Sequence, residues 1–203
     1  MLVGFRHLKG HFDRKAQLAL MDEIRAIITQ APLYTATMPR TGKPLSVRMS
    51  NAGELGWVSD IEGYRYQPCH PETGRPWPPI PESLLRLWRD IAQWPGDPEA
   101  CLVNYYGPDA KMGSHVDRDE AEVGAPVISV SLGDRAVFHL GGLKRSDPKW
   151  RMVLSSGDVV VLGGEARLAY HGVDRIMAGS SDLLREGGRF NLTLRRVTPL
   201  PAA

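Results

Sequence analysis

The sequence predicts a mainly β protein, a barrel or jelly roll, with helices confined to its N-terminal part. Two observations carry this. From Cys101 onward short β-rich runs follow one another (CLVNYYG, PVISVSLG, AVFHLGG, DVVVLGG and GRFNLTLRRV), punctuated by Gly, Asp and Pro, and strands in such succession make a rolled sheet. Upstream, helical periodicity occurs in two stretches only. One domain suffices for 203 residues, since a domain of that size buries roughly 70% of the surface its unfolded chain exposes.

The first helix is expected over residues 13–30, where Asp13 can cap the N-terminus and Leu18, Met21, Ile24, Ile27 and Ile28 fall at helical spacing before Pro32 ends it. Residues 31–81 are rich in Pro and Gly, with Trp57, Tyr64, Tyr66 and Trp77 spread among them. They read as a long folded lid or recognition segment. The second helix is expected over 82–94, with Leu84, Leu87, Trp88 and Ile91 as its buried stripe and Pro95 and Gly96 as its stop. The single domain 1–203 thus divides into helices and lid (1–98) and a β core (99–197).

With 25 basic and 23 acidic side chains the net charge is +2, so affinity for a polyanion must come from local clustering rather than from the overall field. Cys69 and Cys101 belong to no C-x-x-C pair or disulfide framework, which suits a reducing compartment. No run approaches the ~18 apolar residues of a membrane-spanning helix, and the N-terminal stretch lacks the apolar core of a signal peptide. A cytoplasmic monomer without membrane contact is expected.

Candidate chemistry begins at SHVDRD. Residues two apart in a strand face one way, so His115 and Asp117 present an imidazole and a carboxylate to one point. A third ligand can come from His171 in AYHGVD, which follows a β-run and lies far enough along to return on a neighbouring strand. Two His and one carboxylate on one face of an octahedral ion leave three positions open, the arrangement of Fe(II) oxygenases. Taken alone the H-x-D pair is weak, because a solvated His and Asp two apart arise by chance in many proteins.

The last strand adds weight. Arg189, Asn191, Thr193 and Arg195 fall on one face, and Phe190, Leu192 and Leu194 on the other. An isolated strand of this kind reads as a half-exposed edge with its arginines in water. Inside a barrel the same arginines suit 2-oxoglutarate, since guanidinium groups bind carboxylates bidentately and this molecule carries two. Asn104 and Tyr106 in VNYYGP share a face and can donate to the same dicarboxylate.

Together these segments closely resemble the bacterial AlkB alkylation-repair dioxygenases. The resemblance runs through NYYGPDAKMGSHVDRDE, APVISVSLGDRAVFHLGGLKRSDP, GDVVVLGGEARLAYHGV and RFNLTLR, from roughly Gly53 to Arg195. Its most specific part is R-x-N-x-T-x-R joined to H-x-D and a distal His. It implies a double-stranded β-helix (jelly roll) supported by N-terminal helices, with Fe(II) bound by His115, Asp117 and His171. It implies 2-oxoglutarate held by Arg189 and Arg195, with Asn191, Asn104 and Tyr106 in contact. Trp57 and Tyr64 match substrate-side aromatics of a nucleotide-recognition lid, Asp119 a residue near the exocyclic amine of the base, and Arg145 a nucleic-acid contact. Tyr105 and Ser114 depart from the family pattern.

The activity so implied is oxidative demethylation of 1-methyladenine and 3-methylcytosine in single-stranded or damaged DNA or RNA. Dioxygen and 2-oxoglutarate are the co-substrates, and succinate, CO2 and formaldehyde the products. Methylation at these positions blocks Watson–Crick pairing, which lowers the cost of extruding the lesion. The lesions are also cationic, and a carboxylate such as Asp119 attracts them.

Two other classes stay open on the sequence: a small-molecule hydroxylase with the same iron core, and a non-catalytic nucleic-acid binding module, whose usual sign is a broken triad. Trp57 can be a packed anchor as well as a stacking face. The stretch LKRSDPKWR is either a solvated turn or a phosphate contact strip. His139 is expected as a barrel or surface histidine, His7, His11 and His70 as solvent-facing, and Trp88 and Trp94 as core.

Overall fold

The structure, a computed structural model, describes residues 2–200; Met1 and residues 201–203 of the expected domain lie outside the described residues. Its strands are β1 (Phe5–Leu8), β2 (Val47–Gly53), β3 (Gly56–Asp60), β4 (Gly63–Gln67), β5 (Ala100–Tyr106), β6 (Met112–His115), β7 (Val127–Gly133), β8 (Arg135–Leu140), β9 (Trp150–Leu154), β10 (Val159–Leu162), β11 (His171–Met177) and β12 (Arg189–Arg195). A six-stranded sheet, β1-β10-β7-β12-β5-β2, faces a four-stranded one, β6-β11-β8-β9, and β3-β4 form a separate hairpin. The pairing is antiparallel in each sheet. This is the expected jelly roll.

The central strands of the larger sheet are buried on both faces, which explains the uninterrupted apolar run of β10. Val159 and Val161 of β10 face the helices, whereas Val160 and Leu162 face the barrel interior. Strand β12 lies between β7 and β5, and all seven of its residues are buried. Phe190, Leu192 and Leu194 pack with the helices. Its polar face turns inward, so the half-exposed edge is ruled out.

Helix α1 (Arg14–Gln30) starts where expected, with Asp13 Oδ1 accepting from the Ala16 amide at 2.8 Å, a cap worth about 1 kcal/mol. Its buried face runs through Gln17, Leu20, Met21, Ile24 and Ile27. Leu18, expected in that stripe, is exposed, because it sits one step round the helix from a face centred on Ile24. Gln17 takes the buried place with its amide satisfied, donating to Phe12 O and accepting from Ser156. Helix α2 (Glu82–Ile91) buries Leu84, Leu87 and Trp88 and stops three residues short of expectation. Gln93 already turns to φ 53°, and Pro95 disfavours helical backbone at Trp94, the residue before it.

Strands β1 and β2 come from the part expected to hold only helices and lid, yet they form the two edges of the six-stranded sheet. Two histidines expected in solvent are instead structural. His70 is 2% exposed, its Nε2 donating to Pro32 O and its Nδ1 accepting from the Glu72 and Thr73 amides. His7 is partly buried against Asp158 at 2.8 Å, tying β1 to the barrel. Both stabilise Pro- or Gly-rich backbone, a role with no periodic signal. Among the described residues no helix is long and apolar enough to cross a membrane.

Candidate active site

Strands β6 and β11 pair so that His115 lies directly opposite His171. Their rings approach to 4.5 Å between centroids, and Asp117, two residues past the end of β6, reaches in beside them. The Asp117 carboxylate oxygens lie 3.7 Å from the Nε2 of each histidine, and one ligand atom from each of the three falls within 4.8 Å of the others. Each Nδ1 faces a backbone carbonyl, Gly113 O for His115 and Ala169 O for His171. A carbonyl only accepts, so Nδ1 carries the proton and the Nε2 lone pair faces the common point.

Electrostatics suit a cation there. Burial pushes His171 down to about 4, so it is neutral at pH 7. Burial alone would raise the Asp117 carboxyl, but Arg195, His171 and His115 hold it well below the usual carboxylate range. Gly172 permits the close strand approach. A Cβ there would come within 2.5 Å of Met112 O and 2.9 Å of Gly113 O, backbone that cannot yield without moving His115.

The inner face of β12 forms the facing wall of a cavity of about 520 Å³. Asn191 is fully engaged, donating to Ser129 Oγ and Val130 O and accepting from Thr193. The two arginines differ. Arg195 meets Asp117 at 2.9 Å, and its carboxylate and tyrosine neighbours raise it well above its ordinary value despite burial. Arg189 has no carboxylate partner among the described residues. It is 1% exposed, stacks 5.3 Å from the Tyr106 ring and donates to Ser131 Oγ, while its Nε and Nη1 have no partner. Burial lowers it, and an unpaired buried guanidinium costs several kcal/mol. An anion in the cavity would relieve that cost. Asn104, opposite Asn191, likewise has a buried Oδ1 without a partner.

At the mouth, Trp57 of β3 stacks on Tyr64 of β4, 5.5 Å apart and 19° from parallel. The Trp57 indole N–H donates to Asp119 at 2.8 Å. Arg145 lies on the rim, donating to Ser114 O and resting over Tyr170. All the residues singled out in the sequence as metal, co-substrate or substrate candidates line this one cavity. His139 lies outside it, buried and paired with Asp174.

The description "2OG-Fe(II) oxygenase superfamily" fits residues 4–195. An "Alpha-ketoglutarate-dependent dioxygenase AlkB homolog" of Caulobacter vibrioides is 53% identical over 97% of this chain and 89% of its own. The chain belongs to the AlkB family. The solved structure of OsALKBH1 matches with a TM-score of 0.82 and 31% identity, over 97% of this chain and 99% of that one. A "DNA N(6)-methyladenine demethylase ALKBH1A" of Arabidopsis thaliana is 40% identical over 55% of this chain and 36% of its own. This AlkB-family protein is an Fe(II)- and 2-oxoglutarate-dependent dioxygenase that uses O2 as its other co-substrate. The neutral His171 imidazole and the ionised Asp117 carboxylate are compatible with Fe(II), and the free donors of Arg189 with a dicarboxylate.

Sequence reasoning gave no role to Glu120 and Arg167 and left Tyr66 undistinguished within the lid. They stand behind the cavity wall as a buried ionic cluster. Their partners lie 47 and 54 residues apart in the chain, so no local pattern announces them.

Proposed function

We propose that this dioxygenase oxidatively demethylates N-alkylated bases, 1-methyladenine and 3-methylcytosine, in DNA. The observation that carries the reading is the continuity of one cavity, from the triad to an exposed aromatic pair beside a carboxylate at its mouth. A small hydrophilic substrate needs no such platform, whereas an extruded base stacks on one. Support also comes from the demethylase named in Arabidopsis thaliana.

In this reading His115, Asp117 and His171 hold Fe(II), while Arg189 and Arg195 hold 2-oxoglutarate, with Asn104, Tyr106 and Asn191 as the neighbours it touches. The iron, with 2-oxoglutarate and O2, supplies the oxidising power that hydroxylates an N-methyl carbon, after which the product loses formaldehyde. Nδ1–H bonds to Gly113 O and Ala169 O keep both imidazoles turned toward the ion. Arg189 anchors a carboxylate through its free Nε and Nη1. Trp57 and Tyr64 offer the stacking face, and Asp119, fixed by the Trp57 indole through one oxygen, keeps the other for the exocyclic amine of a cationic base. Arg145 meets the phosphate backbone of a single-stranded or damaged nucleic acid. The whole chain acts as one dioxygenase domain, the hairpin serving as nucleotide lid. A monomer in the cytoplasm fits two unpaired cysteines, one of them buried.

The test is mass spectrometry of methylated DNA and RNA oligonucleotides incubated with protein, Fe(II), ascorbate and 2-oxoglutarate. Loss of the methyl mass supports the reading. Unchanged oligonucleotides, alongside hydroxylation of a small molecule, would replace it with a small-molecule hydroxylase.

A further inference from the structure

Three charged or phenolic side chains of the buried cluster do not line the cavity, yet they reach two of the residues that do. Arg167 and Glu120 have side chains 3% and 1% exposed and meet at 3.0 Å. Burying such a pair is unfavourable unless its polar atoms find partners, and here each guanidinium nitrogen and each carboxylate oxygen has one. Arg167 sits on the 3₁₀ turn Gly164–Leu168. Its Nε donates to Ala125 O, its Nη1 to Asp117 O at 2.6 Å and its Nη2 to Glu120. The other Glu120 oxygen accepts from the Tyr66 hydroxyl at 2.5 Å and lies 3.4 Å from Arg195 Nε. Tyr66 in turn accepts from Arg195 Nη1 at 3.2 Å, and Arg195 Nη2 meets the Asp117 carboxylate at 2.9 Å.

Asp117 is therefore gripped twice, at its carbonyl by Arg167 and at its carboxylate by Arg195, and both cations converge on Glu120. The turn that carries Arg167 leads straight into Ala169, whose carbonyl orients His171. Tyr66 belongs to β4, the hairpin strand that bears Tyr64 and pairs with Trp57. One carboxylate so joins a metal-ligand loop, a second ligand's turn, the β12 arginine and the lid.

We propose that Glu120, clamped between Arg167 and Arg195 and capped by the Tyr66 hydroxyl, is a positioning residue. It sets Asp117 and Arg195 for Fe(II) and 2-oxoglutarate, and it ties the Trp57–Tyr64 hairpin to that setting. This rests on the ligand assignment under the proposed function. Both Glu120 oxygens are engaged, so its action passes through Asp117 and Arg195 rather than through contact with substrate.

The experiment reads binding without turnover. Co(II) affinity is measured by calorimetry, and 2-oxoglutarate affinity by the visible charge-transfer band of the anaerobic Fe(II) protein. Glu120→Gln keeps the shape and removes the charge, and both affinities should fall about 10–100-fold, the usual cost of losing a group that orients a metal ligand. Tyr66→Phe removes one hydroxyl. It should lower the melting temperature by only about 2–4 °C, weaken 2-oxoglutarate binding several-fold, and raise the 2-oxoglutarate consumed per base demethylated. If Glu120→Gln does not fold, Tyr66→Phe and Arg167→Lys carry the test. Variants that melt lower but bind Co(II) and 2-oxoglutarate like the parent would overturn the proposal and leave a purely structural cluster. If His171→Ala also binds Co(II) normally, the ligand assignment itself falls and takes the proposal with it, a pattern distinct from failure of the Glu120 and Tyr66 variants alone.

Discussion

The wall and the mouth of the cavity are built on opposite principles. The wall is made by strand register. His115 faces His171 across β6 and β11, and Arg189 faces Tyr106 across β12 and β5, so each group is fixed by a ladder of backbone hydrogen bonds and is mostly buried. The mouth is made by a two-stranded hairpin and loops, and there Tyr64 is 54% exposed and Asp119 and Arg145 lie in solvent. On the proposed reading the oxidising chemistry is locked to the fold, whereas the choice of base rests on a few contacts that can change without disturbing the barrel.

Wall substitutions should cost the most. His171→Ala removes one of the three proposed ligands, and metal affinity should drop roughly 100-fold or more, with turnover lost and a cooperative melt retained. Calorimetry with Co(II) and a thermal melt check both halves, and normal turnover would take His171 out of the site. Next, Arg189→Lys keeps a charge but loses the planar fork. Charged hydrogen bonds contribute about 1.5–3 kcal/mol each, so the KM for 2-oxoglutarate should rise roughly 10–100-fold while metal still binds.

Mouth substitutions should separate substrate from chemistry. Trp57→Ala removes a stacking face worth roughly 1–3 kcal/mol per base. The KM for methylated oligonucleotide should rise accordingly, and 2-oxoglutarate consumption without nucleic acid should match the parent. A fall in that uncoupled rate would show that the hairpin is not separable from the wall. The smallest effect is expected at Asp119, whose exposure limits its attraction to about 1 kcal/mol or less. Asp119→Ala should slow repair of cationic 1-methyladenine and 3-methylcytosine more than that of neutral 3-methylthymine, measured in parallel on matched oligonucleotides.

The same division governs what could be read in advance. Alternation in RFNLTLR revealed both faces of β12, and the H-x-D spacing with a distal His revealed the triad, because strand period two is local. The four-residue β6 carries Gly and Ser instead of a hydrophobic alternation, β1 is only four residues long and precedes the first helix, and β2 lies in a segment dominated by Pro and Gly signals. Their places are set by pairing with distant strands. His7 and His70 failed as solvent residues for a related reason, since each satisfies a partner that only the tertiary fold supplies. Which of the two arginines stays free was equally illegible. Arg189 and Arg195 are equivalent in the motif and differ in that Asp117, Glu120 and Tyr66 fold against one of them.

Strand β6 is the outermost member of its sheet, four residues long and bonded to β11 alone. A cation shared by His115 and His171, as proposed, would bridge that pairing and so link occupancy to edge integrity. Ligand at about 100 times its dissociation constant adds roughly 2.7 kcal/mol to the state that binds it. Amide exchange at Met112–His115 should therefore slow on loading with Co(II), while exchange across the larger sheet barely changes. On the proposed ligand assignment the metal would act as a suture on one short edge of the barrel, and metal-free protein would hold that edge more loosely.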